Sequence, residues 1–437
     1  MRKPASVAVC AAAGAAAVAV GAVGFYGCEQ LTKRLPRYRA QRQLLAEYEA
    51  AMLPPRGEMQ ALEDDIVKQM EDGMRKTGSS TILMLPTYVL RMPTGEERGS
   101  CYALDIGGTN FRVMYCRLSD SHSKVEASVI EQVAIPREVY TGTADQLFGF
   151  LARSMRDFIS RHNPTDLSAR PTVGFCFSFP MEQLALNSAR LVNWTKGFDV
   201  AGLSKWRPSG ASPDAVTAIN TEWGCYSSEL LPRVQEDREL DAESGNAKGQ
   251  MLIEKLMSGL WMGDCARRIL LTFARRTQLF GAPVPPRLFE AGAFTTAHLS
   301  SIEGDSSPLR STVARVLREA LDINTAELGL EALYMVQSVC RLVVRRSARM
   351  AAVALLAILR LQGWLESPRR TVVAVDGGVF LKYYGWRVFL DEYIAEGLVH
   401  HGQDAKRLAA LIQFRPQADG SCLGAAVLAA AAVAGDK

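Results

Sequence analysis

A cluster of polar and aromatic side chains follows an apolar, strand-like run between residues 173 and 198, which read VGFCFSFPMEQLALNSARLVNWTKGF. Ser178, Thr195 and Lys196 supply hydrogen-bond donors, and Pro180 fixes the direction of the chain. Taken singly, each residue has an ordinary explanation, because Ser before Phe-Pro is usually a turn residue and Lys after Trp-Thr is usually solvated. Together they favour a site that binds a polyhydroxylated ligand.

Two acidic residues downstream could accept hydrogen bonds from the same kind of ligand. Glu222 lies in the apolar and small-residue segment INTEWG, and Glu254 lies in MLIEKLMSGLWMGD. A carboxylate can accept two hydrogen bonds from adjacent hydroxyl groups. A lone Glu on a helix is most often a solvated residue, so Glu254 gains its interest from the other candidates and not from its own pattern.

A glycine turn joins two strand-like runs in CYALDIGGTNFRVMYCRL, residues 101–118. After Asp105, the paired glycines let backbone N–H groups approach a phosphate, while Thr109 and Arg112 add a hydroxyl group and a guanidinium. The Asp105 carboxylate could orient Mg²⁺ through water. The alternative is a simple hairpin turn in which Asp105 and Asn110 close the backbone. The sequence has neither a Walker motif nor the signature set of protein kinases.

Composition and charge exclude several classes of protein. The 437 residues are 48% hydrophobic and 22% charged, which is typical of a globular protein with more than one hydrophobic core. Residues 1–40 hold six basic residues and one acid, which leaves 44 basic and 45 acidic residues elsewhere. The body of the chain therefore offers no broad positive field for nucleic acid. Nine cysteines without a Cys-x-x-Cys spacing, and five histidines without a metal-ligand spacing, favour reduced thiols.

The N-terminal segment is the candidate for a membrane anchor. Ala5 to Tyr26 is a run of 22 uncharged residues, long enough as a helix of about 33 Å to cross a bilayer. The run consists mainly of Ala, Val and Gly, which are weakly hydrophobic. The basic cluster behind it favours a cytosol-facing protein, with a cleaved signal peptide or a plastid transit peptide as alternatives.

Periodicity along the rest of the chain predicts alternating helices and strands, and thus an α/β protein. The run TVVAV at 371–375 predicts a buried strand, and the Pro- and Ser-containing stretch 204–215 predicts a loop. A hairpin is predicted over 101–118. Helical patterns cover the residues 44–76, 140–162, 250–276, 311–321 and 330–361.

Taken together, these motifs resemble those of eukaryotic hexokinases, and most closely the plant and algal branch. The run VGFCFSFP…WTKGF matches the family signature with Cys176 in place of the usual Thr or Asn. LDIGGTNFRV resembles the first phosphate motif, INTEWG and the Glu254 helix the sugar-binding acids, GAFTTAHLS the nucleotide-contacting region and VAVDGGVF the adenosine motif. The resemblance covers roughly residues 40 to 435, so several independent motifs occur in the family's order.

The resemblance implies a two-domain, actin-like ATPase fold with a central cleft, and an enzyme that uses ATP and Mg²⁺ to phosphorylate glucose, fructose or mannose at O6. Lys196 would steady the transferring phosphoryl group, and Asp105 would reach Mg²⁺ through water. Ser178, Pro180, Thr195, Lys196, Glu222 and Glu254 would line the hexose. Asp105, Gly107, Gly108, Thr109, Asn110, Arg112, Thr296, Ser300 and Gly377 would face ATP and its phosphates.

The same resemblance implies a division of the chain. Residues 1–39 would form the hydrophobic anchor with its basic flank, in the mitochondrial outer membrane or alternatively at a plastid. Residues 40–96 would add N-terminal helices to the large domain, 97–203 would form the small domain, and 204–437 would complete the large domain. The last helix would pack back on the small domain.

One part of the family pattern is missing between Lys196 and Glu222. Hexokinases carry there an Asn-Asp-Thr segment, whose Asp takes the proton of the sugar hydroxyl, and a Gly-Thr-Gly phosphate loop. Only the 25 residues 197–221 separate the flanking motifs in this sequence, whereas one βαβ unit needs about 30 residues. Asp199 and Asp214 lie in this stretch without the motif around them, so we expect neither to be the general base.

Smaller departures affect the nucleotide motifs. Gly378 replaces the usual Ser, the following FLKYYGW lacks the usual His-Pro, and Cys422 and Leu423 stand where small and basic residues are usual. Three hypotheses remain: a hexokinase, a catalytically impaired glucose sensor anchored at a membrane, and a hexokinase sequence that has lost an internal coding segment. The catalytic Asp distinguishes the first two.

Overall fold

The computed structural model describes residues 36–434, apart from positions 77, 88, 90–92, 108–109, 120–124, 164, 166–171, 180, 186–187, 192–193, 195–197 and 202–217. The chain divides into two compact units. Of the described residues, the first unit holds those up to Pro54 with Pro232–Glu236 and Leu260–Arg346. The second unit holds Pro55–Leu231, Asp237–Gly259 and the residues from Ser347 onward.

A four-stranded sheet in the second unit forms around the glycine turn. Strands β2 (Gly99–Ile106) and β3 (Asn110–Leu118) are the antiparallel hairpin that the sequence predicted, and β4 (Val125–Ala134) continues it. Strand β5 (Val173–Phe177) pairs with β2 in parallel, which gives the order β4-β3-β2-β5. The parallel pairing brings the carboxyl ends of β2 and β5 to the same edge of the sheet.

Helices cover both faces of this sheet because β2 presents apolar side chains to each face. On one face, α4 (Ala144–His162) packs through Leu151 and Phe158 against Ile106 and Phe111. The N-terminus of α4 is fixed by a capping box between Thr143 and Gln146. On the other face, α14 (Gly420–Ala434) packs against β2 and β3 through the buried residues Cys101, Ala103, Met114, Cys116, Cys422, Ala426 and Ala430.

A glycine on β5 allows α14 to come this close. A Cβ atom added at Gly174 would lie 2.1 Å from the carbonyl oxygen of Ala425, which is far inside van der Waals contact. Only a residue without a side chain therefore permits the observed packing of α14 on β5. This contact fixes the start of α14, at Gly420, beside the carboxyl ends of β2 and β5.

A second hydrophobic cluster in the same unit supports the acidic segment of the sequence. Helix α2 (Arg56–Arg75), helix α6 (Leu252–Met257) and the part of α10 (Leu330–Leu361) from Ser347 onward contribute to it. Tyr226 and Trp223, which lie just after Glu222, pack into the same cluster. Glu222 and Glu254 are thus attached to one hydrophobic core.

The first unit consists of helices and loops in its described part. It contains α1 (36–52), α7 (Met262–Thr277), α8 (Thr296–Glu303), α9 (Ser311–Leu321) and the beginning of α10. The fully buried Arg346 donates to the carbonyl of Pro232, at 3.2 Å. Gln337 donates to the carbonyls of Ile302 and Asp305, so buried polar groups bind the loops of this unit.

The remaining elements are short or lie on the periphery of the second unit. Strands β1 and β8 pair, β6 and β7 form a hairpin, and β9 and β10 pair in parallel. The bounds are β1 (Leu85–Pro86), β6 (Met181–Ala185), β7 (Ser188–Leu191), β8 (Ile219–Asn220), β9 (Thr371–Val375), β10 (Ile412–Pro416), α3 (Arg137–Tyr140), α5 (Gln235–Glu243), α11 (Gly378–Lys382), α12 (Trp386–His400) and α13 (Ala405–Ala409).

The predicted helices at 311–321 and 330–361 are confirmed at both ends, but the other three are interrupted. The pattern over 44–76, which allowed one or two helices, forms α1 and α2 with a break at residues 53–55. The pattern over 250–276 forms α6 and α7, with an extended residue at Ser258. A Cβ atom at Gly259 would lie 2.9 Å from Val379, so the chain passes close to α11 there. The region 140–162 starts its helix at Ala144 because Thr143 caps it.

The prediction of a strand at 371–375 is correct, but the prediction that this strand is buried is wrong. Phe414 of β10 stacks on Phe380 at 5.6 Å, whereas Val372 of β9 is 61% exposed. Within the described residues, β10 is the strand that pairs with β9. Parallel sheets are normally covered on both faces, so the exposed valine marks an incomplete layer.

Nothing in the described part of the chain offers a helix with both the length and the apolar character that a bilayer crossing requires. The predicted anchor, Ala5 to Tyr26, lies outside the described residues.

Candidate active site

Asp105, the last polar residue of β2, is the centre of the first cluster of candidate side chains. Its carboxylate is 5% exposed and receives three donors. The hydroxyl of Ser178 donates to Oδ1 at 2.9 Å, and the hydroxyl of Ser421 donates to Oδ2 at 3.0 Å. The guanidinium of Arg112 lies 3.4 Å from Oδ2. We call Asp105, Arg112, Ser178 and Ser421 the Asp105 cluster.

The strand register explains how these residues meet. Asp105 pairs with Arg112 across the hairpin and with Cys176 of β5. Ser178 follows the end of β5, and its N–H donates to the carbonyl of Ile106 at 3.2 Å. Ser421 lies in the first turn of α14. Ligands of open α/β sheets bind at such carboxyl ends of strands.

The adenosine motif reaches the same helix end through Asp376, which follows β9. Its Oδ1 accepts the N–H of Gly377 at 2.7 Å, and its Oδ2 accepts the N–H of Gly420 at 2.9 Å. Gly377 has a φ of +125°, which a residue with a side chain rarely adopts. Asp419 lies 3.8 Å from Arg112. The start of α14 therefore joins the motif around Gly377 to the Asp105 cluster.

The glycine turn itself is a closed hairpin at its described end. The N–H of Gly107 donates to the carbonyl of Asn110 at 2.9 Å. This bond agrees with the simpler interpretation of Gly107 as a turn residue. The contribution of Gly107 and Asn110 to phosphate binding stays a prediction.

Glu222 and Glu254 form the second cluster. The amide of Asn220 donates to Oε1 of Glu222 at 2.9 Å, and Glu222 has a left-handed φ of +50°. A Cβ atom at Gly224 would lie 3.5 Å from Oε2 of Glu254. Burial, together with the charges of Glu222 and Glu254, raises the pKa of the Cys225 thiol to about 12. Both carboxylates thus lie near enough to the short 3-10 turn Trp223–Cys225 to act on this thiol, and we call them the acid pair.

Short backbone contacts attach α6 to the segment that carries Glu222. The N–H of Ile253 donates to the carbonyl of Tyr226 at 3.1 Å, and the N–H of Leu252 donates to the hydroxyl of Ser227 at 3.3 Å. Glu254 lies in the first turn of α6. Its distance from Glu222 thus depends on how α6 is held.

The aromatic residues of the signature pack on one another. Trp194 stacks on Phe198 with ring centroids 5.6 Å apart, and Phe179 meets both rings at 5.0 and 4.8 Å. The indole N–H of Trp194 donates to the carbonyl of Val200 at 3.1 Å. These rings belong to the core between the sheet and α4 and fix the path of the chain around Ser178.

The structure brings together part of the predicted site. Asp105, Arg112 and Ser178 meet, and Glu222 and Glu254 both lie near the turn that holds Gly224 and Cys225. Thr296 and Ser300 lie on α8 in the first unit, where the hydroxyl of Thr296 accepts the N–H of Gly263 at 3.1 Å. Five predicted residues lie outside the described residues: Gly108, Thr109, Pro180, Thr195 and Lys196.

Sequence reasoning missed three contributors to these clusters. The sequence patterns assigned no role to Ser421, Asp376 or Asn220. Their positions were the sequence signal that could have indicated a site. Asp376 follows β9 and precedes Gly377, and Ser421 follows Gly420 at the beginning of α14. Their contacts with Asp105 and Gly420 cross 316 and 44 residues of chain, which no local pattern reports.

Asp199, the described carboxylate of the shortened segment, does not occupy a position suited to a general base. Asp199 is exposed, and its N–H donates to the carbonyl of Tyr140 at 3.0 Å. Asp214 lies outside the described residues. The structure therefore gives no reason to assign proton abstraction to Asp199.

The carboxylate of Asp105 fits a magnesium ion that binds together with phosphate groups. No group of three or more His, Cys, Asp or Glu side chains suited to a metal occurs among the described residues. Mg²⁺ bound with nucleotides uses one or two carboxylates, several waters and phosphate oxygens, so a large protein ligand set is not required. Asp105 accepts three donors, and a carboxylate offers about four acceptor positions, which leaves room for one water.

Comparison with known proteins identifies the family and the fold of this chain. The hexokinase family is matched by two sequence models, over residues 44–208 and 192–431. The chain is 30% identical to hexokinase-3 of Arabidopsis thaliana, with 98% of both chains covered, and 32% identical to hexokinase-2 of Oryza sativa subsp. japonica, with 89% of this chain and 91% of that one covered.

Solved structures agree on the fold. A hexokinase from Schistosoma mansoni, complexed with glucose, superposes with a TM-score of 0.74 at 24% identity, over 90% of this chain and 99% of that one. A second hexokinase crystal structure gives 0.72 at 22% identity, over 90% of this chain and the whole of the other. The fold is thus the α/β fold of sugar kinases of the hexokinase type. The chain belongs to the hexokinase family, in its plant-type group, whose activity is the phosphorylation of hexoses.

The alignment also shows that positions are missing from this chain. It runs over 505 positions with Arabidopsis thaliana hexokinase-3, whereas the whole chain has 437 residues. At least 68 positions of the alignment, the difference between these lengths, are therefore unoccupied in this chain. This deficit is large enough to hold the segment that the motif pattern lacks between Lys196 and Glu222.

Proposed function

We propose that this chain is an ATP-dependent hexose 6-phosphotransferase whose sugar and phosphate sites lie at the acid pair and the Asp105 cluster. The observation that carries the proposal is the meeting of three distant motifs at Asp105: the hairpin, Ser178 and Ser421. Glucose is the ligand of the Schistosoma mansoni relative, which supports glucose, with fructose and mannose, as the substrate class.

On the sugar side, the acid pair accepts hydrogen bonds from hexose hydroxyl groups. The left-handed backbone at Glu222 and the short turn behind it orient this carboxylate, and Asn220 holds one of its oxygens. The hydroxyl of Ser178 donates to Asp105 and retains acceptor capacity for a sugar hydroxyl. Thr195, Lys196 and Pro180 complete this set by the family resemblance.

On the phosphate side, Arg112 and the hairpin turn bind phosphate oxygens, and Asp105 holds Mg²⁺ through water. When bound, the ion neutralises charge that develops on the phosphate groups. Asp105 is oriented by Ser178, Ser421 and Arg112. Thr296, Ser300 and Gly377 are the proposed contacts of the nucleotide.

The missing Asp limits the rate that this chain can reach. General-base assistance contributes about 10²- to 10⁴-fold to such reactions. Phosphoryl transfer depends mainly on positioning and charge stabilisation, so binding groups alone still accelerate it. We therefore expect a weak, glucose-dependent kinase.

The test is release of ADP by the purified 437-residue chain with and without glucose, in the presence of Mg²⁺ and ATP. We expect glucose-dependent release that Glu222→Gln and Glu254→Gln abolish. ADP release that glucose does not change would contradict the proposal. Arg349→Met, at an ion pair with Glu396 that joins α10 and α12, serves as the control for folding.

The second candidate is a hexose sensor, favoured by the absence of the catalytic Asp together with the retained acid pair. Calorimetry distinguishes it from the kinase. Glucose binding at millimolar concentration without ADP release supports the sensor, and absence of binding excludes it.

The N-terminal segment supports a further part of the proposal, attachment to the mitochondrial outer membrane with the enzyme facing the cytosol. Its support is the uncharged run from Ala5 to Tyr26 followed by basic residues. Imaging of a fluorescent fusion with and without residues 1–39 tests it. A diffuse signal from the full chain contradicts attachment, and a plastid signal favours the alternative.

A further inference from the structure

A buried ion pair lies next to Glu254 in the sequence. Nζ of Lys255 is 2.6 Å from Oδ1 of Asp241, and the two side chains are 3% and 4% exposed. Lys and Asp are seldom buried to this extent unless they are paired. Burial of such a pair often adds no net stability, so its retention calls for another reason.

Both partners also bind the loop between α5 and α6. Nζ of Lys255 donates to the carbonyl of Gln250 at 2.9 Å, and Oδ2 of Asp241 accepts the N–H of Gly249 at 2.9 Å. Gly249 has a φ of +83°, and Met251, which precedes α6, has a φ of +54°. The pair therefore fixes the turn from which α6 starts.

The far end of α6 is held as well. The hydroxyl of Ser347 donates to the carbonyl of Met257 at 2.7 Å and accepts the indole N–H of Trp386 at 3.0 Å. Polar contacts therefore hold α6, which has six residues, both just before its first residue and at its last residue. Glu254 lies in the first turn of this helix. The buried side chains of Leu252, Ile253 and Leu256 hold the body of α6 on the hydrophobic cluster, and the polar contacts fix its two ends.

We infer that Lys255 and Asp241 are positioning residues that hold the Glu254 carboxylate beside Glu222 and so set the affinity for the hexose. The inference rests on the proposed role of the acid pair in sugar binding. Neither residue touches the sugar; both act through the start of α6. Without the pair, the turn at Gly249–Met251 loses two of its bonds, and the carboxylate moves relative to Glu222.

The experiment compares Lys255→Met and Asp241→Asn with Arg349→Met as the matched control. Arg349 also forms an ion pair, 2.9 Å from Glu396, and its side chain is 8% exposed, but it lies on α10. The first readout is the glucose dissociation constant from calorimetry. We expect Lys255→Met and Asp241→Asn to bind glucose about 10-fold more weakly than the wild type, equivalent to 1.4 kcal/mol. The control Arg349→Met should keep the wild-type dissociation constant.

The second readout needs no glucose. Alkylation of Cys225, followed against pH by peptide mass spectrometry, reports the nearby carboxylates because their charges help to raise the pKa of this thiol. Loss of the Lys255 charge by itself would raise that pKa further. A profile that shifts to lower pH in Lys255→Met, and not in Arg349→Met, indicates that the surroundings of Cys225, which are its burial and the charges of Glu222 and Glu254, have changed; the same shift in Glu254→Gln assigns the change to Glu254.

The double variant Asp241→Leu with Lys255→Met distinguishes loss of positioning from loss of stability. Apolar pairs often replace buried ion pairs without loss of stability. Recovered thermal stability with weak glucose binding supports positioning, whereas recovered affinity overturns it. Unchanged affinity and an unchanged Cys225 profile in both single variants also overturn it. If no form binds glucose, a shifted Cys225 profile still supports the positioning of Glu254, and only the proposed sugar site fails.

Discussion

Asp105 shows how much of this site depends on a single carboxylate. Side chains from three elements donate to it, and each donor comes from a different motif of the sequence. Hydrogen bonds to a buried charge are stronger than those between neutral groups. The same bonds that orient Asp105 for a metal-bound water therefore hold α14 on the sheet.

Removal of the hydroxyl in Ser421→Ala should lower the free energy of unfolding by about 1.5–3 kcal/mol, the range for a hydrogen bond to a charged group. Denaturant unfolding measures this change. Ser160→Ala is the control, because the hydroxyl of Ser160 is exposed and binds a carbonyl of its own helix. Equal stability of the two variants would show that the bond from Ser421 contributes nothing.

Asp264, in the first turn of α7, makes the first unit sensitive to acid. Burial alone raises its pKa, but hydrogen bonds from Arg267 at 2.7 Å and Arg268 at 2.8 Å lower the pKa below its ordinary value of 3.8. A lowered pKa in the folded state stabilises the protein above the unfolded value and loses this contribution as pH falls through the folded value.

Asp264→Ala should therefore destabilise the protein at neutral pH by about 3 kcal/mol, since it leaves two arginines without their partner. Below pH 3.8 the difference from the wild type should shrink. Thermal unfolding across a pH series measures both effects. A difference that stays constant with pH would contradict the assignment.

At the scale of elements, the close packing of α14 on β5 assembles the candidate site. The Asp105–Ser421 and Asp376–Gly420 bonds both depend on where α14 begins. Gly174 allows that position, because any Cβ there would meet the backbone of α14 at Ala425. A change at the middle of β5 is thus transmitted to the strand ends through the helix.

Gly174→Ala should lower stability by about 1–3 kcal/mol, as for an overpacked core, and should reduce any Mg²⁺- and ATP-dependent activity. Gly424→Ala, on α14 itself, has open space around its Cβ and should raise stability by about 0.5–1 kcal/mol through helix propensity. Differential scanning calorimetry measures the pair. Destabilisation by both substitutions would mean that α14 is intolerant of any change.

At the scale of the molecule, we relate the exposed face of β9 to the deficit of at least 68 aligned positions. Val372 is 61% exposed on a parallel strand pair that has α11 and α12 on its other side. Phe175 of β5, at the end of the sheet order, is 43% exposed. The exposed valine of β9 thus lies on a parallel strand pair, whose faces are normally covered.

A chimera tests this relation. Insertion of the corresponding segment of Arabidopsis thaliana hexokinase-3 between Lys196 and Glu222 should raise the melting temperature and increase glucose-dependent ADP release by about 10²- to 10⁴-fold. The same chimera with the Asp of its Asn-Asp-Thr replaced by Asn should keep the stability and lose the activity. A chimera no more stable than the original chain would show that the exposed strands do not mark the missing segment.

The sequence by itself determined the hairpin at 101–118, the helices at 311–321 and 330–361, the hexokinase family and the lack of an Asn-Asp-Thr motif between Lys196 and Glu222. Residues close together in the sequence predict these features, through apolar periodicity or short motifs. The tertiary structure alone decided that Ser421 binds Asp105, that the pattern at 250–276 breaks into two helices, and that β9 is exposed. Each of these features depends on contacts between residues far apart in the chain, or on which element covers a strand. Local sequence patterns do not encode such contacts.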